Sequence, residues 1–228
     1  MKTVGIVIPC YNESRSLRDL IEKCQSISNP RVKFLILDNG STDDTINVLN
    51  QLTIPFNIDV MHLKENRGYG FGIFEGLKTL DTDYVGWTHA DLQTNPSDIL
   101  YFLPYIDGGV DFMKGKRTGR PLVDRFFTAG MSFITSLIFI RVVKDVNGQP
   151  TIFNKELLKY WSNPPKDFAL DLYAYLIAIR TGCSIERKSV HFGPRKWGNS
   201  HWNTGLFARA RFIKRTLKCA LRLRLEMK

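Results

Sequence analysis

The chain has 228 residues, of which 43% are hydrophobic and 24% charged, a composition that excludes a disordered protein and suits one globular core. Its net charge of +10 is concentrated at one end, because residues 186–228 hold 12 of the 32 Lys and Arg but only 2 of the 22 Asp and Glu. The first 185 residues are therefore charge-balanced, and only the C-terminal segment calls for an anionic partner.

Short β-branched runs alternate with longer helical patterns along the first half of the chain. Asn12, Ser41 and Asn95 are plausible caps for the helices. The alternation predicts an α/β fold with a mostly parallel sheet flanked by helices, in which ligands bind at the carboxyl ends of the strands. The predicted strands are residues 4–9, 32–38, 56–63, 84–89 and 110–115, and the predicted helices are residues 14–27, 42–52, 69–80 and 97–106.

The second half of the chain is less regular. The patterns there predict a helix at 125–143, a turn-rich connection at 145–153, a short helix at 154–161, a longer helix at 167–181, a strand at 184–192 and a loop at 193–202. We divide the chain into a domain of residues 1–204 and a basic amphipathic C-terminal helix of residues 205–228.

The C-terminal helix combines a stripe of apolar residues, spaced three or four apart, with a stripe of Arg and Lys. Such a helix suits an anionic membrane surface, and the same charge could bind nucleic acid. The continuous apolar stripe favours the membrane, so we expect no nucleic acid partner. Alternatively, the apolar stripe docks on the body of the protein and only the charges face solvent.

Polar side chains follow three of the predicted strands. Tyr11 and Asn12 come after the first strand, Asp38 ends the second, and Asp91 and Gln93 follow the fourth. An aromatic ring, an amide and a carboxylate at one sheet edge suit a nucleoside, because the ring can pack on the base and Asp38 can accept a base N–H or a ribose hydroxyl. Each residue alone could be a cap or a turn former, but together they favour a site.

Four motifs in this region resemble, in their order and spacing, the consecutive signatures of family 2 glycosyltransferases, which have the GT-A fold. They are IPCYNES at residues 8–14, LDNGSTDDT at 37–45, NRGYGFGIFEGL at 66–77 and HADLQTNP at 89–96. The subgroup most similar in pattern is the dolichyl- or polyprenyl-phosphate sugar synthases. The resemblance covers residues 3–202 and implies a GT-A nucleotide-diphospho-sugar transferase fold, with the last helix as an addition.

The resemblance also implies a binding site for a UDP- or GDP-sugar donor. Its expected residues are Pro9, Tyr11, Asn12, Glu13, Asp38, Asn66, Arg67, Gly68, Gly72, Ala90 and Arg117.

The glycine run can be interpreted physically as well. Gly68, Gly70 and Gly72 permit close backbone approach at a helix start, where free N–H groups favour phosphate. The run is not a dinucleotide fingerprint, because Ile73 stands where that pattern needs glycine.

The motif after the fourth predicted strand implies a metal site. In the family this motif is DxD, whose carboxylates bind a divalent cation that stabilises the leaving nucleoside diphosphate. The corresponding metal ligands here are His89, Asp91 and Gln93. Imidazole in place of the first carboxylate removes a negative charge and softens the site, which favours Mn²⁺ over Mg²⁺. Alternatively, His89 is a strand-end residue without a metal role.

Two acceptor chemistries remain open. A hydroxyl acceptor needs a general base, for which Asp171 is the candidate by motif order, whereas a lipid phosphate is already ionised and needs cations instead. Asp145 and Gln149 lie in the loop that faces the acceptor in the subgroup. The expected catalytic residues are Asp91, Asp145, Gln149 and Asp171.

Cations for a phosphate acceptor occur near the end of the domain. Arg195, Lys196 and Ser200 fall in a segment that resembles the subgroup's Arg-x-x-Gly-x-Ser pattern, and guanidinium and hydroxyl donors bind phosphate oxygens well. We therefore expect an inverting glycosyltransferase that moves a hexose to a polyprenyl (undecaprenyl or dolichyl) phosphate. The alternatives are transfer to a hydroxyl of a lipid-linked or cell-surface glycan, and a catalytically weakened nucleotide-sugar-binding protein.

The sequence also bears on the compartment. Four cysteines without a CxxC pair favour a reducing environment, and the N-terminus lacks the pattern of a signal peptide. The longest uncharged stretch, residues 126–140, is 15 residues, short of the roughly 20 needed to span a bilayer. We expect a cytoplasmic protein that binds a membrane peripherally.

Overall fold

β-branched and apolar runs in the first half of the chain form buried parallel strands, as their composition predicts. The computed structural model describes residues 1–197, 214, 216–218 and 220–225, without the side chains of residues 122–127. The strands in this part of the chain are β1 (Val4–Cys10), β2 (Val32–Asp38), β3 (Ile58–His62), β4 (Tyr84–Trp87), β5 (Phe112–Thr118), β6 (Thr151–Asn154) and β7 (Ile185–His191).

Helices connect most of these strands. The α-helices are α1 (Leu17–Gln25), α2 (Thr45–Gln51), α3 (Tyr69–Thr79), α4 (Leu103–Asp107), α5 (Leu122–Phe139) and α6 (Leu170–Arg180), and 3₁₀-helices cover Pro96–Phe102 and Lys155–Tyr160.

The strands form one sheet in the order β3-β2-β1-β4-β6-β5-β7. β1 to β4 pair in parallel, β5 pairs in parallel with β7, and β6 lies antiparallel between β4 and β5. The prediction of a mostly parallel sheet is therefore confirmed. The carboxyl ends of β1, β2, β4, β5 and β7 all lie at the same edge, where the predicted site residues follow.

β6 differs from the prediction, which had a turn-rich connection over residues 145–153. The four-residue strand lies in the middle of the sheet, beside β4. Its close approach depends on Gly86, because a Cβ there would lie 2.2 Å from the Thr151 carbonyl oxygen. A central strand this short, entered directly from Pro150, carries too little periodicity to be recognised from sequence.

Apolar side chains cover both faces of the sheet. One cluster packs α3 and α6 on it through residues such as Leu77 and Leu172, and the other packs α1 and the 3₁₀-helix after β4 through residues such as Leu20 and Phe102. Every residue of α6 from Leu170 to Ala178 is buried, which is typical of a helix enclosed on all sides.

α5 presents an apolar surface to solvent. Phe133 is 66% exposed, Leu137 62%, and Ile140 and Val142 beyond the helix end are 78% and 70% exposed. None of the helices among the described residues has the length and apolar character needed to cross a membrane.

The C-terminal helix is described only in part. Residues 216–218 and 220–225 are helical, and the other residues of the predicted helix, 205–228, lie outside the described residues apart from residue 214. Ala220 and Leu223 are buried in the core cluster with α6, whereas Leu221 and Leu225 are 54% and 71% exposed. In this portion, part of the apolar stripe packs on the body and part faces solvent.

Candidate active site

Asn12 joins the loops that follow β1 and β2. Its side-chain Oδ1 accepts hydrogen bonds from the backbone N–H groups of Thr42 (2.9 Å) and Asp43 (3.3 Å), and its own backbone N–H donates to Ser41 Oγ (3.0 Å). Its backbone is left-handed, with φ of 57°, a conformation that asparagine tolerates well.

The helix caps differ from two of the three predicted. Ser16 rather than Asn12 precedes α1, and Asp44 rather than Ser41 precedes α2, because Asn12 and Ser41 bond to each other's loops. Asn95 is confirmed as a cap, since its side chain accepts a hydrogen bond from Ser97 N–H at 3.1 Å.

Asp38 is fully buried at the end of β2. Its Oδ1 accepts a hydrogen bond from the Ser41 backbone N–H (3.1 Å), and its Oδ2 lies 3.5 Å from Nδ1 of His62. Tyr11, at the same sheet edge, is 43% exposed. The carboxylate therefore shapes the loop while the ring remains open to a base, and the donor-binding roles of both residues and of Pro9 stay predictions.

The glycines at the start of α3 make room for another part of the protein and not, as expected, for a phosphate. The N–H groups of Gly70 and Phe71 donate to the Lys166 carbonyl oxygen at 2.9 and 3.2 Å, and a Cβ on Gly68 would lie 2.2 Å from that same oxygen. The run thus accommodates the loop before α6, and the explanation by free N–H groups for phosphate was wrong for these amides. Gly72 is buried, and a Cβ there would lie 2.9 Å from Asn39 Oδ1.

Asn66 and Arg67 lie just before α3. Asn66 Oδ1 accepts a hydrogen bond from Gly68 N–H at 2.9 Å, and the Arg67 guanidinium lies over the Phe71 ring at 4.2 Å. The donor-binding roles of Asn66, Arg67, Gly68 and Gly72 remain predictions.

The predicted metal ligands follow β4. Asp91 Oδ1 accepts a hydrogen bond from Gln93 N–H at 3.1 Å, and Gln93 Nε2 donates to the Gly193 carbonyl oxygen at 3.1 Å. His89 lies with its ring centroid 6.1 Å from that of Tyr69, and Ala90 between the two ligands is buried. These contacts fix the loop after β4 against the segment that follows β7.

The three predicted ligands fit a divalent cation whose remaining coordination positions substrate oxygens would fill. Among the described residues, no three His, Cys, Asp or Glu side chains are grouped to hold a metal by themselves. One carboxylate, one imidazole and one amide are nevertheless suitable ligands for a cation that also binds diphosphate oxygens. Asp91 also contacts the guanidinium of Arg195, so this carboxylate already faces positive charge.

Arg195 bridges two acidic residues of the site. Its Nη2 lies 3.1 Å from Glu13 Oε1 and 3.3 Å from Asp91 Oδ2. Burial raises the pKa of Glu13, and the guanidinium and the Ser16 hydroxyl offset this only in part.

The three predicted acceptor-binding residues have different outcomes. Arg195 lies beside Asp91, a predicted metal ligand, and Lys196 forms an ion pair with Asp19 of α1. Ser200 lies outside the described residues. The acceptor roles of all three stay predictions.

Arg117 and Asp145 form an ion pair at the end of β5. Arg117 Nε donates to Asp145 Oδ1 at 2.9 Å, its backbone N–H donates to Oδ2 at 3.1 Å, and Nη2 also contacts Oδ1. Arg187 of β7 lies 3.9 Å from the same carboxylate. Burial acts to raise the pKa of Asp145, but the contacts with Arg117 outweigh it and hold that pKa below the usual range. Arg117, expected on the diphosphate, is thus paired within the protein.

A buried network lies beneath this ion pair. Gln149 Nε2 donates to Asp171 Oδ1 at 2.6 Å, and Lys114 Nζ lies 3.5 Å from the same oxygen and 2.7 Å from Thr151 Oγ1. Lys114 and Gln149 are fully buried and Asp171 is 2% exposed. Burial lowers the pKa of Lys114 to about 8, although Asp171 opposes the shift.

Sequence reasoning missed Lys114. The available signal was a pair of opposite charges beside apolar residues, Lys114 directly after Phe112 and Met113 in β5 and Asp171 in the apolar first turns of α6. Such charges must pair when both elements are buried.

Comparisons with known proteins agree with this architecture. The sequence profile described as Glycosyl transferase family 2 matches residues 5–184. A curated relative, the undecaprenyl-phosphate 4-deoxy-4-formamido-L-arabinose transferase of Salmonella choleraesuis (strain SC-B67), is 27% identical over 214 residues. That match covers 89% of this chain but 63% of the relative, so the chain spans less than two thirds of that protein's length.

Solved structures share the fold. The glucosyl-3-phosphoglycerate synthase of Mycobacterium tuberculosis, in complex with phosphoglyceric acid, has a TM-score of 0.74 at 18% identity, over 98% of this chain and 80% of that one. A further structure of that enzyme, with Mn²⁺, UDP-glucose and phosphoglyceric acid, also has a TM-score of 0.74 at 18% identity, over 98% of this chain and 79% of that one. With the profile match over most of its length, the chain belongs to glycosyl transferase family 2 and has the GT-A fold.

Proposed function

We propose that the protein is an inverting glycosyltransferase that moves a sugar from a nucleoside-diphosphate sugar to a polyprenyl phosphate at a membrane surface. The observation that carries this choice of acceptor is the state of Asp171, which is 2% exposed and contacts both Lys114 and Gln149. A carboxylate held in this way is poorly placed to take a proton from an incoming hydroxyl, whereas a phosphate acceptor needs no base. The curated relative is named for transfer to undecaprenyl phosphate, which supports the same acceptor class.

The reaction needs a nucleophile and a stabilised leaving group. A phosphate oxygen of the acceptor attacks the anomeric carbon, the bond from that carbon to the diphosphate oxygen breaks, and the nucleoside diphosphate keeps the electron pair. Tyr11 stacks on the base, and Arg195, next to Asp91, binds the acceptor phosphate beside the donor.

The donor diphosphate also needs a cation. His89, Asp91 and Gln93 would hold a divalent ion, which supplies charge neutralisation for the leaving group when bound. The imidazole among these ligands favours Mn²⁺, the ion named in the solved synthase complex with UDP-glucose. UDP-sugars are therefore the first donors to test.

A transfer assay tests the proposed function. The full chain, supplied with Mn²⁺ and labelled UDP-glucose, UDP-N-acetylglucosamine or GDP-mannose, should move label into the organic phase with vesicles that contain undecaprenyl phosphate, and not with vesicles that contain undecaprenol. With saturating donor, Asp171→Asn should retain a turnover rate within about tenfold of wild type, because loss of a general base typically costs about 10²–10⁴. Transfer to undecaprenol, or a larger loss in Asp171→Asn with donor binding intact, contradicts the phosphate acceptor.

The membrane surface is also part of the proposal, and α5 supports it. Phe133, Leu137, Ile140 and Val142 expose apolar side chains, and the charged Arg141 lies in the same exposed segment. An apolar patch flanked by a cation suits the surface of an anionic bilayer. In this proposal the lipid acceptor approaches from the side of the protein that carries α5.

Two charges introduced on α5 should therefore weaken membrane binding. We expect Phe133→Glu/Leu137→Glu to bind vesicles containing phosphatidylglycerol at least about tenfold more weakly, since burying each such side chain is worth about 1.5–3 kcal/mol. Sedimentation with vesicles measures this. Phe56→Glu is the matched control, because Phe56 is 92% exposed and lies before β3, at the opposite sheet edge. Equal binding by the double variant and the control would rule out α5 as the membrane surface.

A further inference from the structure

The side chain of Gln149 has one satisfied end and one unsatisfied end. Gln149 is fully buried, and its Nε2 donates to Asp171 Oδ1 at 2.6 Å. Its Oε1 has no hydrogen-bond partner within the part of the chain that the structure describes. A buried acceptor without a partner costs free energy, so a bound molecule with a suitable donor gains affinity by contacting it.

Buried charge fixes the orientation of this amide. Lys114 Nζ lies 3.5 Å from the Asp171 oxygen that Gln149 contacts. The positive charge of Lys114 compensates the negative charge of the carboxylate. An ionised carboxylate only accepts hydrogen bonds. The NH₂ group of Gln149 must therefore face Asp171, and Oε1 must point away from it.

Asp171 and Tyr69 relate this amide to the predicted cation site, through an electrostatic interaction and a ring pair. Asp171, which binds Gln149, lies close enough to Tyr69 that its charge helps to raise the pKa of the Tyr69 hydroxyl, after burial as the main cause. The ring of Tyr69 lies 6.1 Å from that of His89. Gln149 itself precedes β6, and the Gln149 carbonyl oxygen approaches Gly115 of β5.

The chemistry of Oε1 selects the class of ligand group. An amide oxygen accepts hydrogen bonds and donates none, and phosphate oxygens at neutral pH are acceptors as well. Neither the donor diphosphate nor a lipid phosphate can pair with it. A sugar hydroxyl can, because it donates.

We propose that Gln149 Oε1 accepts a hydrogen bond from a hydroxyl of the sugar being transferred, which makes Gln149 a specificity-determining residue. Lys114 and Asp171 are its positioning residues. This inference rests on the proposed function, since it assigns one contact of the donor. A site built to bind a substrate hydroxyl discriminates strongly against an analogue that lacks it.

The test compares affinity for the sugar with affinity for the nucleotide. Calorimetry first selects the tightest donor among UDP-glucose, UDP-N-acetylglucosamine and GDP-mannose, and then measures its monodeoxy analogues and the free nucleoside diphosphate. For Gln149→Met, which removes both polar groups at similar size, we expect nucleotide affinity within twofold of wild type and donor affinity at least tenfold lower. Discrimination against one monodeoxy analogue should fall at least tenfold. Gln51→Met, on the exposed surface of α2, is the control.

A second measurement uses the wild-type protein alone. Gln149 Oε1 is a fully buried acceptor without a partner in the described part of the chain, so it should select for one hydroxyl of the sugar. We therefore expect wild type to bind one monodeoxy analogue at least tenfold more weakly than the parent donor.

The outcomes separate the two proposals. If none of the nucleotide sugars binds, the proposed function fails and this inference fails with it. If a donor binds and Gln149→Met keeps the wild-type ratio of donor to nucleotide affinity, the inference alone is overturned. Should Gln149→Met fail to fold, a wild-type protein that binds every monodeoxy analogue as tightly as the parent donor overturns it.

Discussion

Replacing Asp91 with asparagine is expected to lower kcat/KM for sugar transfer at least about 100-fold, the scale of losing one charge-stabilising group in a transition state. Asp91 is the sole carboxylate among His89, Asp91 and Gln93. Asparagine keeps the size of the side chain and can still accept the hydrogen bond from Gln93 N–H, so the loop should keep its shape. Steady-state transfer assays measure the rate, and electron paramagnetic resonance measures Mn²⁺ binding in the presence of UDP.

Two further variants sharpen this result. Asp59→Asn removes an exposed carboxylate on β3, away from β4, and should change transfer less than twofold. His89→Asp restores the family's first carboxylate and should raise the rate with Mg²⁺ relative to that with Mn²⁺. Near-wild-type transfer and Mn²⁺ binding in Asp91→Asn would show that Asp91 is not a metal ligand.

Replacing Lys114 with methionine should destabilise the protein by about 3–5 kcal/mol, because it leaves Asp171 buried without its countercharge. Guanidinium denaturation measures the free energy of unfolding. Lys116→Met is the matched control, since Lys116 is exposed two residues later on the same strand, and its change should stay within about 0.5 kcal/mol. A Lys114→Met variant as stable as wild type would contradict the pairing.

The double variant Lys114→Met/Asp171→Leu tests the cause of that loss. Apolar residues of similar volume can replace a buried ion pair with little cost, so most of the stability should return.

The pH dependence of stability gives a second check. The pKa of Lys114 is lowered to about 8 in the folded protein, whereas in the unfolded chain it has the ordinary lysine value of about 10.4. Between these two pH values the unfolded chain binds more protons than the folded protein. The contribution of Lys114 to stability therefore rises with pH in this window, and Lys114→Met lacks the rise.

The sequence predicted the donor half of the fold well. The runs in β1, β2 and β4 and the helical pattern of α3 are long or apolar enough for their periodicity to identify them. β6 was not predicted, because its position depends on Gly86 of β4, which allows the close approach of Thr151. No local pattern within residues 151–154 carries that information.

The candidate site was predicted as a set of residues but not as a set of contacts. The motifs identified Asp91 and Arg195, yet their separation in sequence says nothing about the 3.3 Å contact between them. The glycines of α3 were interpreted as space for phosphate, whereas the carbonyl oxygen of Lys166, from a distant loop, fills that space. Pairings of this kind come from tertiary structure, and the sequence indicates them only where a charge lies beside buried apolar residues, as Asp171 does in α6.

β6 has a consequence for how the enzyme can diversify. The chain leaves β5 at Thr118 and returns at Thr151 to pair between β4 and β5, so the whole excursion, including α5, begins and ends inside the sheet. Because its two ends are anchored in adjacent strands, the excursion can change in length and composition without shifting the register of β1 to β4. The proposed acceptor surface can therefore change while the proposed nucleotide site at the ends of β1 and β2 is preserved.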